Sequence, residues 1–177
     1  MTVERGDVRP WPEPVERVAA FLRAAGAEAR IEQMRGETAT AQGAADAVGC
    51  TLGQIVKSLV LVCDGATTAV VLVPGDRRAD TRRIARVLGA GHARVARPDE
   101  VLAATGYEPG AVAPFSLARV QHVLLDRALL RHRTVWCGAG STRHLAAVMP
   151  AELQRLTRAE IADVAVPVDA RGQTREV

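Results

Sequence analysis

Lysine is almost missing from this chain: of the 23 Lys and Arg among its 177 residues, Lys57 alone is lysine, and every other basic position is arginine. Bulky rings are scarce as well, with two Trp, one Tyr and two Phe. The three cysteines, Cys50, Cys63 and Cys137, are odd in number and widely spaced, and the four histidines lie far apart. Neither a disulfide framework nor a zinc motif is visible. There is no complete G-x-G-x-x-G and no Walker lysine, so the usual phosphate-binding fingerprints are absent. No apolar run approaches the ~20 residues of a membrane span, and the stretch Met1 to Asp7 lacks the apolar core of a signal peptide. These absences predict a cytoplasmic protein.

What remains reads as one globular domain, with 48% apolar residues and nearly balanced charge. The net charge of +3 permits an anionic partner without requiring one. The predicted organisation is an extended leader over 1–14, with Pro10, Pro12 and Pro14, a domain over 15–166 and a disordered tail over 167–177. Val15, Val18, Phe21, Leu22 and Ala25 recur at helical spacing before Gly26. A strand is expected around Arg30 to Glu32, then a helix capped by Thr40 and closed by Gly49. Residues 54 to 73 read as two apolar strands around Cys63-Asp64-Gly65-Ala66-Thr67, a hairpin closed by Pro74-Gly75. Asp80 is expected to cap a helix through Leu88, with Ile84, Val87 and Leu88 inward. A strand at 93–96 and a helix at 98–105 precede a loop over 106–114, too rich in Gly and Pro for regular structure. Strands follow at 121–125, 134–137 and 144–148, then a helix at 150–156, and Thr157-Arg158-Ala159-Glu160 matches a capping box for one last short helix.

Lys57 sits inside the apolar run Gln54 to Val62. At strand period, Ile55, Lys57, Leu59 and Leu61 share one face and Val56, Ser58, Val60 and Val62 the other, so the strand reads as central. Lysine is rarely buried unpaired, because desolvating an ammonium is costly. It is therefore an edge residue, a snorkelling residue or the cationic floor of a polar pocket, and the position favours the pocket. Other candidates stay open. Gly138-Ala139-Gly140-Ser141 could offer main-chain N–H groups to an oxyanion or form a plain hairpin turn. Asp126 could be a strand-end catalytic carboxylate or the cap of the turn that follows. Cys50 and Cys137 could be nucleophiles only with a neighbouring base or cation, which the sequence does not supply. Arg77, Arg78, Arg82, Arg83 and Arg86 could be a nucleic-acid face or a merely solvated one.

Six segments converge. Gly49 through Leu61, Val73-Pro74-Gly75-Asp76-Arg77-Arg78, Thr105-Gly106-Tyr107, the loop Gly110 to Pro114, Leu125-Asp126 and Gly138-Ala139-Gly140 resemble, in order and spacing, the YbaK/prolyl-tRNA synthetase-associated domain family of aminoacyl-tRNA deacylases. The resemblance covers roughly 28 to 165, and its most specific element is the lysine in Ile55-Val56-Lys57-Ser58-Leu59. It implies an α+β fold, a mixed, curved, partly barrel-like sheet surrounded by helices, around a pocket for the acylated 3′ end of tRNA. It implies a catalytic Lys57 and substrate contacts from Ser58, Gly110, Ala111, Pro114, Asp126 and Gly138; because they adjoin the hairpin carrying Lys57, Arg77, Arg78, Arg82, Arg83 and Arg86 are the expected tRNA contacts. No metal and no cofactor is expected. Aminoacyl-tRNA is the expected partner, with prolyl-tRNA synthetase a second, and neither membrane nor DNA. Many members carry Gly-Gly where this chain has Gly110-Ala111, and often Gly-His where it has Ser116-Leu117. Some alanine-editing relatives have a histidine near Trp136-Cys137. The expected activity is trans-editing of Cys-tRNA(Pro) or Ala-tRNA(Pro), against two alternatives: a catalytically silent tRNA- or synthetase-binding module, and a thiol hydrolase.

Overall fold

A computed structural model describes residues 10–38 and 40–168. In chain order the elements are α1 (Glu13–Ala24), β1 (Ala29–Gln33), α2 (Ala41–Val48), β2 (Val56–Cys63), β3 (Thr67–Pro74), β4 (Arg77–Ala79), α3 (Thr81–Val87), β5 (Ala93–Val95), α4 (Pro98–Thr105), β6 (His122–Asp126), β7 (Val135–Gly138), β8 (His144–Val148), α5 (Pro150–Thr157), β9 (Glu160–Ala162) and β10 (Ala165–Pro167).

The local signals act as read. Thr40 accepts the Gly43 N–H at 3.0 Å, and α2 stops at Gly49 in the left-handed region. Asp80 accepts the N–H groups of Arg82 and Arg83 at 2.9 and 3.1 Å, which starts α3. β2 and β3 pair antiparallel along their whole length, Val56 opposite Pro74 and Cys63 opposite Thr67. Both faces of this hairpin are buried. On one, Val56, Val60, Val62, Val70 and Leu72 join a cluster with Val18, Tyr107, Phe115 and Leu125. On the other, Leu61, Cys63, Val71 and Val73 pack on Ile84, Leu124 and Val164. Each of the fully buried Val and Leu side chains contributes about 1.5–3 kcal/mol of apolar burial, which makes the hairpin the spine of the molecule.

The strands form a mixed arrangement. Five run in the order β5-β2-β3-β6-β9, with β3-β6 and β6-β9 parallel and the rest antiparallel. A second sheet, β1-β8-β7, meets the first through a parallel bridge between Ile55 and Trp136. β10 and β4 make a two-stranded antiparallel ribbon. The α+β expectation holds, with the curved wall left open rather than closed into a barrel.

Three expectations need correction. Among the described residues no helix follows α5: Thr157 turns its hydroxyl back onto the Leu153 carbonyl at 2.7 Å, Arg158 takes a left-handed φ of 53°, and Glu160 opens β9 beside β6. Arg77 and Arg78 belong to β4, not to the helix face. The predicted tail began at Pro167, yet Pro167 is paired with Arg77; residues from 169 onward lie outside those described, as does most of the predicted leader, α1 beginning at Glu13. The loop 106–114 is irregular as expected and is pinned internally. The Tyr107 hydroxyl donates to the Phe115 carbonyl at 2.9 Å, and the Arg17 guanidinium lies 4.5 Å from the Tyr107 ring centroid.

Candidate active site

The start of β2 is fastened by its own neighbours. The Thr51 N–H donates to Gln54 Oε1 at 3.1 Å, while Gln54 Nε2 donates to the Thr134 carbonyl at 3.1 Å, just before β7. This anchors residues 55–59 beside Trp136 and leaves a cavity of about 280 Å³ next to them. Its walls are Ile55 with Val56 to Leu59 of β2, Trp136 and Gly138 of β7, Thr38, Thr40, Ala41 and Ala44 around the start of α2, Gly110 and Val112 of the loop, and Ser141 and Leu145.

β5 covers only the far half of β2, pairing with Leu61 to Cys63. The Ala96 N–H reaches the Val60 carbonyl at 2.9 Å, so Val60 faces that edge. By the alternation of an antiparallel strand the main-chain groups of Ser58 face the same edge, past the point where β5 ends. The Ser58 hydroxyl is buried with no hydrogen-bond partner. A buried, unpaired hydroxyl on a cavity wall is a vacant donor and acceptor for whatever enters.

Lys57 is half-buried on this wall, and its Nζ donates to the Arg77 carbonyl. Burial pushes the ammonium pKa below the usual lysine value, and the Asp76 carboxylate pulls partly the other way. An ammonium has three donors, so two stay available after the bond to Arg77. The arrangement holds a cation at the wall of a cavity lined by both apolar and polar groups.

The cavity brings together Lys57, Ser58, Gly110 and Gly138 from the expected set. Gly138 has a packing reason as well: a Cβ there would lie 2.7 Å from the Val112 carbonyl, so its bareness lets the loop close against β7. Gly110 takes a φ of 84°, which a side chain would strain. Ala111 and Pro114 are buried in the loop and do not line the cavity. Asp126 is 2% exposed and is not a lining residue. Its carboxylate accepts the N–H groups of Ala128, Val164 and Ala165 at 3.0, 3.0 and 2.8 Å, which is the turn cap foreseen as its alternative.

Arg82, Arg83 and Arg86 are exposed on α3, with Arg83 paired to Asp80 at 3.4 Å; Arg77 and Arg78 sit in β4 beside the Lys57 anchor. The thiols are shifted away from reactivity: burial pushes Cys137 up to about 12 and raises Cys50. A thiolate nucleophile needs the opposite shift. Among the described residues no group of three or more His, Cys, Asp or Glu could hold a metal ion, and no helix is long and apolar enough to cross a membrane.

Sequence reasoning missed a hydroxyl–imidazole pair. Ser141 Oγ lies 2.6 Å from His144 Nδ1, and His144 is 3% exposed with Nε2 lacking a partner. Burial and the neighbouring Arg143 lower the imidazole pKa and favour its neutral form. The i, i+3 spacing in the turn between β7 and β8 was the available signal.

The family model described as an aminoacyl-tRNA editing domain matches residues 35–156. The uncharacterized protein YwhH of Bacillus subtilis (strain 168) is 32% identical over 131 residues, covering 74% of this chain and 83% of YwhH. The proline–tRNA ligase of Cupriavidus necator is 31% identical over 120 residues, 66% of this chain and 21% of the ligase. The match thus spans about a fifth of that enzyme. A crystal structure of a candidate trans-editing enzyme for prolyl tRNA synthetase superposes with a TM-score of 0.81 at 35% identity, covering 88% of this chain and 98% of that one.

Proposed function

This chain belongs to the aminoacyl-tRNA editing domain family, and on that premise we propose that it is a trans-acting deacylase that hydrolyses the ester joining a wrong amino acid to tRNA. The observation that carries this reading is the chain's single lysine, held by a main-chain carbonyl on the wall of a cavity lined by apolar side chains and by the hydroxyl residues Thr38, Thr40, Ser58 and Ser141. In this reading the acylated 3′ end enters the cavity and water adds to the ester carbonyl carbon. Negative charge grows on the carbonyl oxygen, where the Lys57 ammonium and the Ser58 N–H stabilise it; one such donor contributes about 3–4 kcal/mol. The C–O bond to the ribose then breaks, the ribose oxygen takes a proton, and free amino acid and tRNA leave. Ser141, backed by neutral His144, relays the proton of the attacking water.

Synthetases reject a slightly smaller amino acid poorly, because one methylene in an apolar pocket is worth only about 1–3 kcal/mol. A cavity of about 280 Å³ walled by Ile55, Val56, Val112 and Leu145 fits a small side chain. Cysteine on tRNA(Pro) is the leading substrate and alanine the second. The likeness to proline–tRNA ligases supports tRNA(Pro), and the lack of a histidine at Trp136-Cys137 supports cysteine ahead of alanine. Arg77, Arg78, Arg82, Arg83 and Arg86 are the proposed contacts to the tRNA backbone. Side-by-side deacylation of Cys-, Ala-, Ser- and Pro-tRNA(Pro) tests the assignment. Fast release of cysteine is expected, and turnover of none of the four, or rapid removal of proline, would defeat it.

A further inference from the structure

The Lys57 ammonium is held by a carbonyl of β4, and β4 is a strand of three residues that, among the described residues, pairs with β10 alone. The register of that ribbon decides where the carbonyl points. The Asp80 N–H donates to the Val164 carbonyl at 2.8 Å, and the Val168 N–H reaches the Asp76 carbonyl at 3.5 Å. Bonded pairs therefore fall at 164 with 80, 166 with 78 and 168 with 76. Arg77, opposite Pro167, occupies the intervening non-bonded position, so its carbonyl is turned away from β10 and toward Lys57. A slip of one residue would turn that carbonyl into the ladder. β10 is in turn fixed at its start, where one oxygen of the buried Asp126 carboxylate accepts both the Val164 and the Ala165 N–H.

We propose that β10 is a positioning element for the active-site lysine, holding β4 in the register that presents the Arg77 carbonyl to the Lys57 ammonium, with Asp126 as its anchor. This rests on the reading of Lys57 as the catalytic cation. β10 lies beyond residues 35–156, the stretch that the family model covers. Asp126 thus acts on the site without touching it, through two short strands.

Because the chain holds one lysine, protein labelled with carbon-13 lysine gives one ε-methylene resonance, and its relaxation reports directly whether the side chain is held. Val166→Pro removes the central ladder N–H at a residue that does not line the cavity. In a variant that circular dichroism shows to be folded, the Lys57 methylene should gain the mobility of an exposed lysine. Deacylation kcat should fall on the order of 10–100-fold with KM unchanged. Val168→Pro, at the exposed end of the ribbon, should do the same more weakly, and decides the matter if Val166→Pro does not fold. Undiminished restriction of Lys57 in the folded variant overturns the proposal. Freed Lys57 with intact turnover supports the β10 relay and instead removes Lys57 from the chemistry.

Discussion

The two halves of β2 share a strand, a hairpin partner and an apolar composition, yet they do different things. Residues 61–63 are paired on both sides, with β3 and β5, Val60 bonds to β3 and to the Ala96 N–H just past β5, and all four are buried. Residues 56–59 keep β3 but lose β5, and three of the four are partly exposed along the cavity. The difference teaches that the candidate site lies where the sheet stops covering its own central strand. Backbone and side-chain polar groups are available there without a break in the spine. The covered half supplies rigidity, and the uncovered half displays Lys57 and Ser58 from it.

The sharpest test of that division pairs a substitution in each half. Lys57→Ala should abolish deacylation, a loss of about 3–4 kcal/mol or more in transition-state stabilisation, with the fold intact. Lys57→Arg should fail too, since a planar guanidinium does not reproduce a compact ammonium beside the Arg77 carbonyl. Single-turnover rates with thermal unfolding alongside measure both, and wild-type turnover would take Lys57 out of the mechanism. Leu61→Ala, in the covered half, should do the reverse. Leu61 is 1% exposed, and the truncation should lower stability by about 2–5 kcal/mol while the remaining folded protein keeps its chemistry.

Ser58→Ala probes the border between the halves. The wild-type hydroxyl is buried without a partner, so its removal should leave stability unchanged or raise it by about 1 kcal/mol, while activity falls. A loss of stability together with unchanged activity would mean that Ser58 belongs to the covered half. The pH response makes the same division visible. Burial lowers the Lys57 pKa below 10.5, so the deacylation rate above the uncatalysed background should decline on the alkaline side before that value. Between the folded and unfolded values the unfolded chain holds the proton more tightly, so the contribution of Lys57 to stability rises with pH over the window in which activity falls. An alkaline limb unchanged by Asp76→Asn would show that the carboxylate does not act on Lys57. The smallest effect is expected farthest from the strand: Arg82→Glu with Arg86→Glu should raise KM more than it lowers kcat and flatten the salt dependence of tRNA binding. An unchanged slope would leave that face merely solvated.

Much of this was legible locally. Thr40, Gly49 and Asp80 mark their helix ends because a cap and its N–H lie two to four residues apart. The hairpin, with apolar residues on both faces of each strand, is written in its own periodicity, and so is the oddness of Lys57. Of the four three-residue strands, β5 was legible in its sequence, while β4, β9 and β10 were not. Each exists through a distant partner, and the capping-box pattern at Thr157 was overridden when Glu160 to Ala162 found β6.

The sequence by itself therefore determined the central strand, its lone lysine and the helix boundaries, since these depend on side-chain alternation and on contacts within one turn of chain. Tertiary structure alone decided that β5 stops short of Ser58, that Ser141 and Thr38 reach the same cavity, and that the Arg77 carbonyl faces Lys57. The physical reason is that edges, ladder phase and cavity walls are relations between segments far apart in the chain. A strand's own residues say which way its side chains alternate, but only its neighbours say which of its main-chain groups remain unpaired.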